Sequence, residues 1–127
     1  MKFKSIEEFQ NEVNKIPPDD AYVNEHGIIW LKQSYAINRM NDVFGEGYWN
    51  IEKIQKSEVR NKKNQFFGNS CVLAVSFKHP VTGDILQRQG VSGIDGELDN
   101  NIIGRAFLNA IASIGKTFGR DLMVQFE

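Results

Sequence analysis

Apolar residues recur at helical spacing near the start of the chain, at Ile6, Phe9, Val13 and Ile16. Steps of three and four stack side chains on one face, so this run predicts a short amphipathic helix. Ser5 and Glu8 supply a capping box, in which Ser5 Oγ accepts from the Glu8 amide while Glu8 reaches back. Pro17-Pro18 ends the helix, because neither nitrogen carries a hydrogen to donate. Residues 17–27 read as a polar connector and 28–31 as a short extended segment. A second stripe, Ile37, Met40, Val43 and Phe44, predicts a helix over 34–44. Gly45 stops it, since glycine takes positive φ without a Cβ clash. Glu46-Gly47 then permits a tight turn into Tyr48-Trp49.

The period next changes to two. A strand is expected over 49–60, with an imperfect alternation that implies a bulge or bend, followed by the polar loop Asn61-Lys62-Lys63-Asn64. The following strand is the clearest, with Phe67, Cys71, Leu73, Val75 and Phe77 on one face and Ser70 and Ser76 on the other. Pro80-Val81-Thr82-Gly83-Asp84 makes a turn into a third strand over 85–91. Connections this short exclude parallel crossovers and predict an antiparallel meander. A glycine-containing loop over 92–99 leads to the longest helix, 98–118, closed by Gly119. Its apolar face comprises Ile103, Phe107, Ala110, Ile111, Ile114 and Phe118. The expected fold class is therefore α+β. A three-stranded antiparallel meander carries the long C-terminal helix on one face and is preceded by N-terminal helices. The chain reads as a single domain over 1–127, with an N-terminal helix and connector over 1–27 and a core over 28–120.

Charge narrows the function classes. Fifteen basic and sixteen acidic side chains leave a formal charge of −1, so a nucleic-acid site must be a local patch rather than a global field. Cys71 is the only cysteine, which excludes an internal disulfide and any multi-cysteine zinc site. Its place in an alternating apolar run marks it as a buried small hydrophobe. No apolar run approaches the ~20 residues of a membrane span, and Met1-Lys2-Phe3-Lys4 leads into an acidic amphipathic stretch. The expectation is a cytoplasmic protein with no membrane partner. Catalytic patterns are missing: the carboxylates are scattered, and His26 and His79 sit beside turn residues without metal-ligand spacing. Gly90-Val91-Ser92-Gly93 lacks the strand-to-helix nucleophile pattern, and no phosphate loop is present. No enzyme, cofactor or metal is expected, and a small nuclease is the enzymatic rival.

Several features suit a nucleic-acid strand. On the long helix Arg105, Asn109, Lys116 and the adjacent Arg120 approximate one polar position per turn. Such a row tracks phosphates, and it is equally the pattern of a solvated helix face. The first hairpin concentrates Lys53, Lys56, Arg60, Lys62 and Lys63, with Phe66 and Phe67 just beyond. Cations beside aromatics suit single strands, whose phosphates need charge and whose unstacked bases need flat partners. Lysines guarding a strand edge give the same pattern. Tyr35 and Arg39, one turn apart, form a weaker ring-and-guanidinium pair, while Trp49 reads first as a core anchor.

Longer motifs carry a family resemblance. Ala36-Ile37-Asn38-Arg39-Met40-Asn41-Asp42-Val43-Phe44-Gly45, then Gly47-Tyr48-Trp49, resembles a segment of the Rad-fifty-two-type single-strand annealing proteins. Gly90-Val91-Ser92-Gly93 resembles that family's G-V-S-E-G, and Lys116-Thr117-Phe118-Gly119 its R-S-F-G. The matches occur in the family's order and span roughly residues 28–120. The resemblance implies a small phage-like recombinase that assembles into rings or arcs. It would bind single-stranded DNA along a positive groove and anneal complementary strands in recombination or repair, without ATP. A single-strand-binding protein or an exonuclease is the implied partner. The sequence departs from the pattern at Ala112 and Ser113, where the family carries a basic pair, and at Tyr35, where a groove-lining arginine often stands. A protein-interaction module that has lost the DNA groove is therefore the alternative.

Overall fold

The computed structural model describes residues 2–25, 28–92 and 100–120. Among these residues run α1 (Ile6–Val13), β1 (Tyr22–Glu25), β2 (Ile28–Leu31), α2 (Gln33–Phe44), β3 (Trp49–Arg60), β4 (Phe66–Lys78), β5 (Ile85–Val91) and α3 (Asn100–Ala112). The strands form two antiparallel sheets, β1-β2 and β3-β4-β5. The class is α+β with antiparallel sheets, but with five described strands in two sheets rather than three strands in one.

The extra sheet comes from the segment read as a connector. A 3-10 turn at Asp19–Ala21 leads into β1, which pairs with β2 from Tyr22↔Leu31 to Glu25↔Ile28. The run Tyr-Val-Asn-Glu carries too little alternation to announce a strand, and the partner ladder makes it one. Lys32 N closes the unit by donating to Ala21 O at 2.7 Å.

Local signals at α1 work with one shift. Ser5 Oγ accepts from Glu8 N at 3.1 Å, while Glu8 Oε2 accepts from Lys4 N at 3.4 Å rather than from Ser5. The helix stops at Val13, before the prolines, because Asn14 caps it: both its amide and its side chain donate to Gln10 O. Ile16, expected on the apolar stripe, therefore lies outside the helix and is exposed. On α2 the buried face is Ala36, Met40, Val43 and Phe44, and Ile37 faces outward.

β3 and β4 form a long hairpin with register shifts at Ile51/Lys53 and Val59/Arg60, so the irregular alternation does correspond to bulging. β5 joins β4 only from Val72↔Val91 to Lys78↔Ile85; beyond Val72 the hairpin continues as a ribbon to its tip at 61–65. α3 packs on β4 and β5. Gly90 makes the approach possible, since a Cβ there would stand 2.1 Å from Ala106 O and 2.3 Å from Ala110 N. The aromatic centre is Phe44, with ring centroids 4.7 Å from Phe77, 5.9 Å from Phe9 and 6.2 Å from Phe118.

The long helix expected over 98–118 is not continuous. Residues 98 and 99 lie outside the described set, α3 ends at Ala112, and a separate 3-10 turn runs Lys116–Phe118. The break has a steric origin. Gly115 sits against the end of α1, where a Cβ would meet Val13 O at 2.2 Å, and its backbone is fully extended. Leaving the helix there turns Phe118 into the core and closes the segment at Gly119, which takes the left-handed conformation at φ 98°.

Candidate nucleic-acid interface

The site is built around α2. Thr117, 1% exposed, accepts a hydrogen bond on Oγ1 from Arg39 Nε at 2.9 Å and shares another with the Tyr35 hydroxyl at 3.3 Å. The Arg39 guanidinium also meets Glu12 Oε1 and donates to Glu12 O, at 3.2 and 3.3 Å. Three segments, α1, α2 and the turn after α3, thus close on one polar knot. The Glu12 carboxyl is held below the usual range by its hydrogen bond to Lys15 and then by Arg39, against the opposing effect of desolvation. Tyr35 and Arg39 do come together as their spacing implied, but on Thr117, with Arg39 mostly buried.

The cations expected along one helix face are divided. Arg105 stays on α3, where its guanidinium lies 5.4 Å from the centre of the Trp30 ring. Asn109 donates to Val91 O at 2.8 Å. Lys116 and Arg120 belong to the turn beyond Gly115 and gather at the C-terminal end of α1. There Asn14 Oδ1 accepts from Arg120 at 2.7 Å and from the Lys116 amide at 3.5 Å. The break at Gly115 thus takes apart the continuous row and makes two stations, Arg105 over Trp30 and Lys116 with Arg120 at the end of α1.

Two clefts accompany these stations. One, of about 270 Å³, is lined by Trp30, Lys32, Gln33, Ser34, Arg105 and Leu108 among others. The second, of about 250 Å³, brings Arg120 together with Asn14, Gln10, Ser113 and Arg88. Lys32 and Arg88 are absent from the sequence-derived set. Lys32 precedes a helix without a cluster of charge, and Arg88 sits alone in β5; only tertiary packing brings either beside another cation. Ala112 and Ser113, where the basic pair is missing, lie at the end of α3 and in the following turn.

The hairpin cations form a separate group. Lys62 and Lys63 are exposed at a tip ordered by Asn61 Oδ1, which accepts from the amides of Lys63 and Gln65. Arg60 is paired with Glu58 at 3.1 Å and donates to Asn64 O. Lys56 stands opposite Cys71 in the ladder, and the Lys53 side chain lies outside the described residues. Phe66 and Phe67 are 49% and 62% exposed. A strand of twelve residues separates Trp49 from Arg60 by roughly 35 Å at the usual rise, so the tip is remote from the two clefts.

The remaining motif residues have structural tasks. Trp49 Nε1 donates to Asn41 Oδ1 at 2.8 Å and its ring stacks on Phe107, as a core anchor does. Ser92, 4% exposed, accepts on Oγ from Cys71 N at 2.8 Å and donates its own amide to Cys71 O; Gly93 lies outside the described residues. Cys71 is buried, and burial pushes its thiol up. His79 is half-buried: Nδ1 accepts from the Val81 and Thr82 amides, and the ring packs 4.4 Å from Phe9. His26 lies outside the described residues. No group of metal-binding side chains occurs among the described residues, and no described helix is long and apolar enough to cross a membrane.

Compared with known proteins, the chain matches no family model and no curated sequence.

Proposed function

We propose that this protein binds single-stranded DNA and anneals complementary strands without a nucleotide cofactor, as a homo-oligomer of the Rad-fifty-two type. The observation that carries the reading is the Arg39–Thr117 hydrogen bond, which joins residues 78 apart in sequence. It locks the I-N-R-M-N-D-V-F-G helix to the K-T-F-G turn. Gly90 and Ser92, of the G-V-S stretch, meet α3 and β4 close by. The three motifs that carry the resemblance are thus parts of one packed unit. One cleft brings Arg105 together with Lys32, and another brings Arg120 together with Arg88. Cations spaced along a surface neutralise phosphates while leaving base edges open to a second strand. Each subunit contributes a few weak contacts, and repetition in a ring or arc multiplies them. That arrangement accommodates a protomer whose formal charge is −1.

The test is annealing of fluorescently labelled complementary oligonucleotides without ATP, with light scattering on the same sample. Accelerated renaturation by a multi-subunit assembly is expected. The reading fails if the protein neither shifts a labelled single strand at about 50 mM salt, where phosphate contacts are strongest, nor speeds pairing.

A second reading, a protein-interaction module of the same fold, is favoured by one specific observation. Arg39 is occupied by Glu12 and Thr117, and Ala112 and Ser113 stand where paired cations are expected. Under it the oligonucleotide is ignored.

A further inference from the structure

We infer that a cleft at the C-terminal end of α2 stacks a nucleobase on Tyr48; this rests on the reading above, under which the base belongs to the bound single strand. The cleft measures about 730 Å³, inside the usual ~300–1,000 Å³ range of small-ligand sites. Its walls include Gly45, the C-cap of α2, so it stands at the far end of that helix from the cleft of Lys32. Tyr48 is 58% exposed there, and yet its position is fixed. Its amide donates to Gly45 O at 3.1 Å, and its carbonyl accepts from Lys78 N at 3.0 Å. The ring lies so close to Gly45 that a Cβ at that position would stand 3.0 Å from Tyr48 Cδ2. A solvent-facing ring held this way has already given up much of the freedom that a ligand would otherwise remove on binding.

The groups around the ring match the parts of a nucleotide. Lys78 sets its ammonium 5.9 Å from the centre of the Tyr48 ring, and Lys2 brings a second exposed cation to the lining. Cations beside an open ring supply what a single strand needs, charge for its phosphates and a flat apolar face for its bases. Asp42 lines the same cleft; its carboxylate disfavours a bare polyanion and can accept from the N–H groups of a base. An aliphatic ligand would leave the lysines unused, and free phosphate would leave the ring unused. A nucleotide uses both. The opposite wall is ordered as well: His79 Nδ1 accepts from the Val81 and Thr82 amides at 3.1 and 3.2 Å, and Gly83 N donates to His79 O at 2.9 Å. Tyr48 and Lys78 also line a neighbouring cleft of about 280 Å³, beside Asn50 and Ser76. The pair is thus a ridge between two open spaces, over which a strand can pass from one to the other. Stacking engages the face of a base and leaves its pairing edge outside, as annealing requires.

The test compares oligo-dT with an abasic oligomer of the same length, which carries the phosphates and sugars without the bases. In the full chain, Tyr48→Leu is expected to lower oligo-dT affinity about tenfold, the scale of one lost base–aromatic stack, and to leave affinity for the abasic oligomer unchanged. Tyr48→Phe, which keeps the ring, is expected to bind oligo-dT as the unaltered protein does. Lys78→Gln should weaken both oligomers and flatten the log–log salt slope of each by about 0.7. Should Tyr48→Leu prove unstable in melting, the ¹⁵N amides of Tyr48, Thr82 and Gly83 in the unaltered protein carry the test. Oligo-dT is expected to shift them more than the abasic oligomer does, and equal shifts would take the base out of the site. If oligo-dT binds Tyr48→Leu and the unaltered protein alike and leaves those amides in place, the stacking site is overturned while the annealing reading survives. If the unaltered protein ignores oligo-dT but thymidine monophosphate shifts the amides, and fails to do so in Tyr48→Leu, the site stands for a free nucleotide and the annealing reading falls.

Discussion

Thr117 shows how much one side chain decides here. Its hydroxyl satisfies Arg39 and Tyr35 at once, and through Arg39 it holds Glu12 on a different helix. Because the Glu12 pKa is lower in the folded chain than in the unfolded one, the ion pair stabilises the fold above the ordinary glutamate range. That contribution is lost as pH falls through the lowered value. Glu12→Gln is therefore expected to cost about 1–2 kcal/mol at neutral pH, and thermal melts between about pH 7 and 3, bracketing the usual glutamate value, should show the gap to the parent closing in the acid arm. A gap of constant size at all pH values would remove the ion pair from the account. The i, i+4 spacing of Tyr35 and Arg39 told that they share a face. It held no trace of Thr117, because that partner lies 78 residues beyond Arg39.

At the scale of elements, steric fit overrode periodicity twice. The apolar stripe over 103–118 keeps its spacing beyond Ala112, yet the helix ends there because Gly115 must lie against the end of α1. Gly90 is the reverse case, a glycine that lets a helix come close rather than ending one. Gly90→Ala sets a methyl against the α3 backbone and is expected to destabilise the fold by about 3 kcal/mol, read by urea denaturation. Since Gly90 faces α3 rather than either cleft, the surviving folded fraction should keep its oligonucleotide affinity. A fully stable alanine variant would mean that α3 does not pack on β5 as described. β1 was invisible for another reason: four residues carry little periodic signal, and pairing with β2 makes the strand.

Over the whole molecule, cations gather in the two clefts and at the hairpin tip, which the length of the β3–β4 ribbon separates. On the proposed reading, a strand held by one protomer would engage the clefts, and a strand passing along an oligomer would also meet neighbouring tips. The double variant Lys62→Ala, Lys63→Ala is expected to change stability by less than about 0.5 kcal/mol, because both side chains are exposed. Its salt slope should fall by about 1.4 for an oligonucleotide long enough to span several protomers, and stay unchanged for one that a single protomer covers. Equal losses for both lengths would place the tip beside the clefts and break the division.

Local chemistry by itself determined the elements whose causes are local. These are the Ser5 cap, the stop at Gly45, the alternation of Leu73, Val75 and Phe77, the bulging of β3, and the α+β class that follows from their order. Each depends on residues within a few positions of one another, so steric and hydrogen-bonding preferences read along the chain suffice. Tertiary structure alone decided where α3 ends, that residues 22–25 form a strand, that Arg39 is bound to Thr117, and that Lys32 and Arg88 stand beside Arg105 and Arg120. Those outcomes depend on close approach between segments far apart in the chain, which no spacing along it encodes.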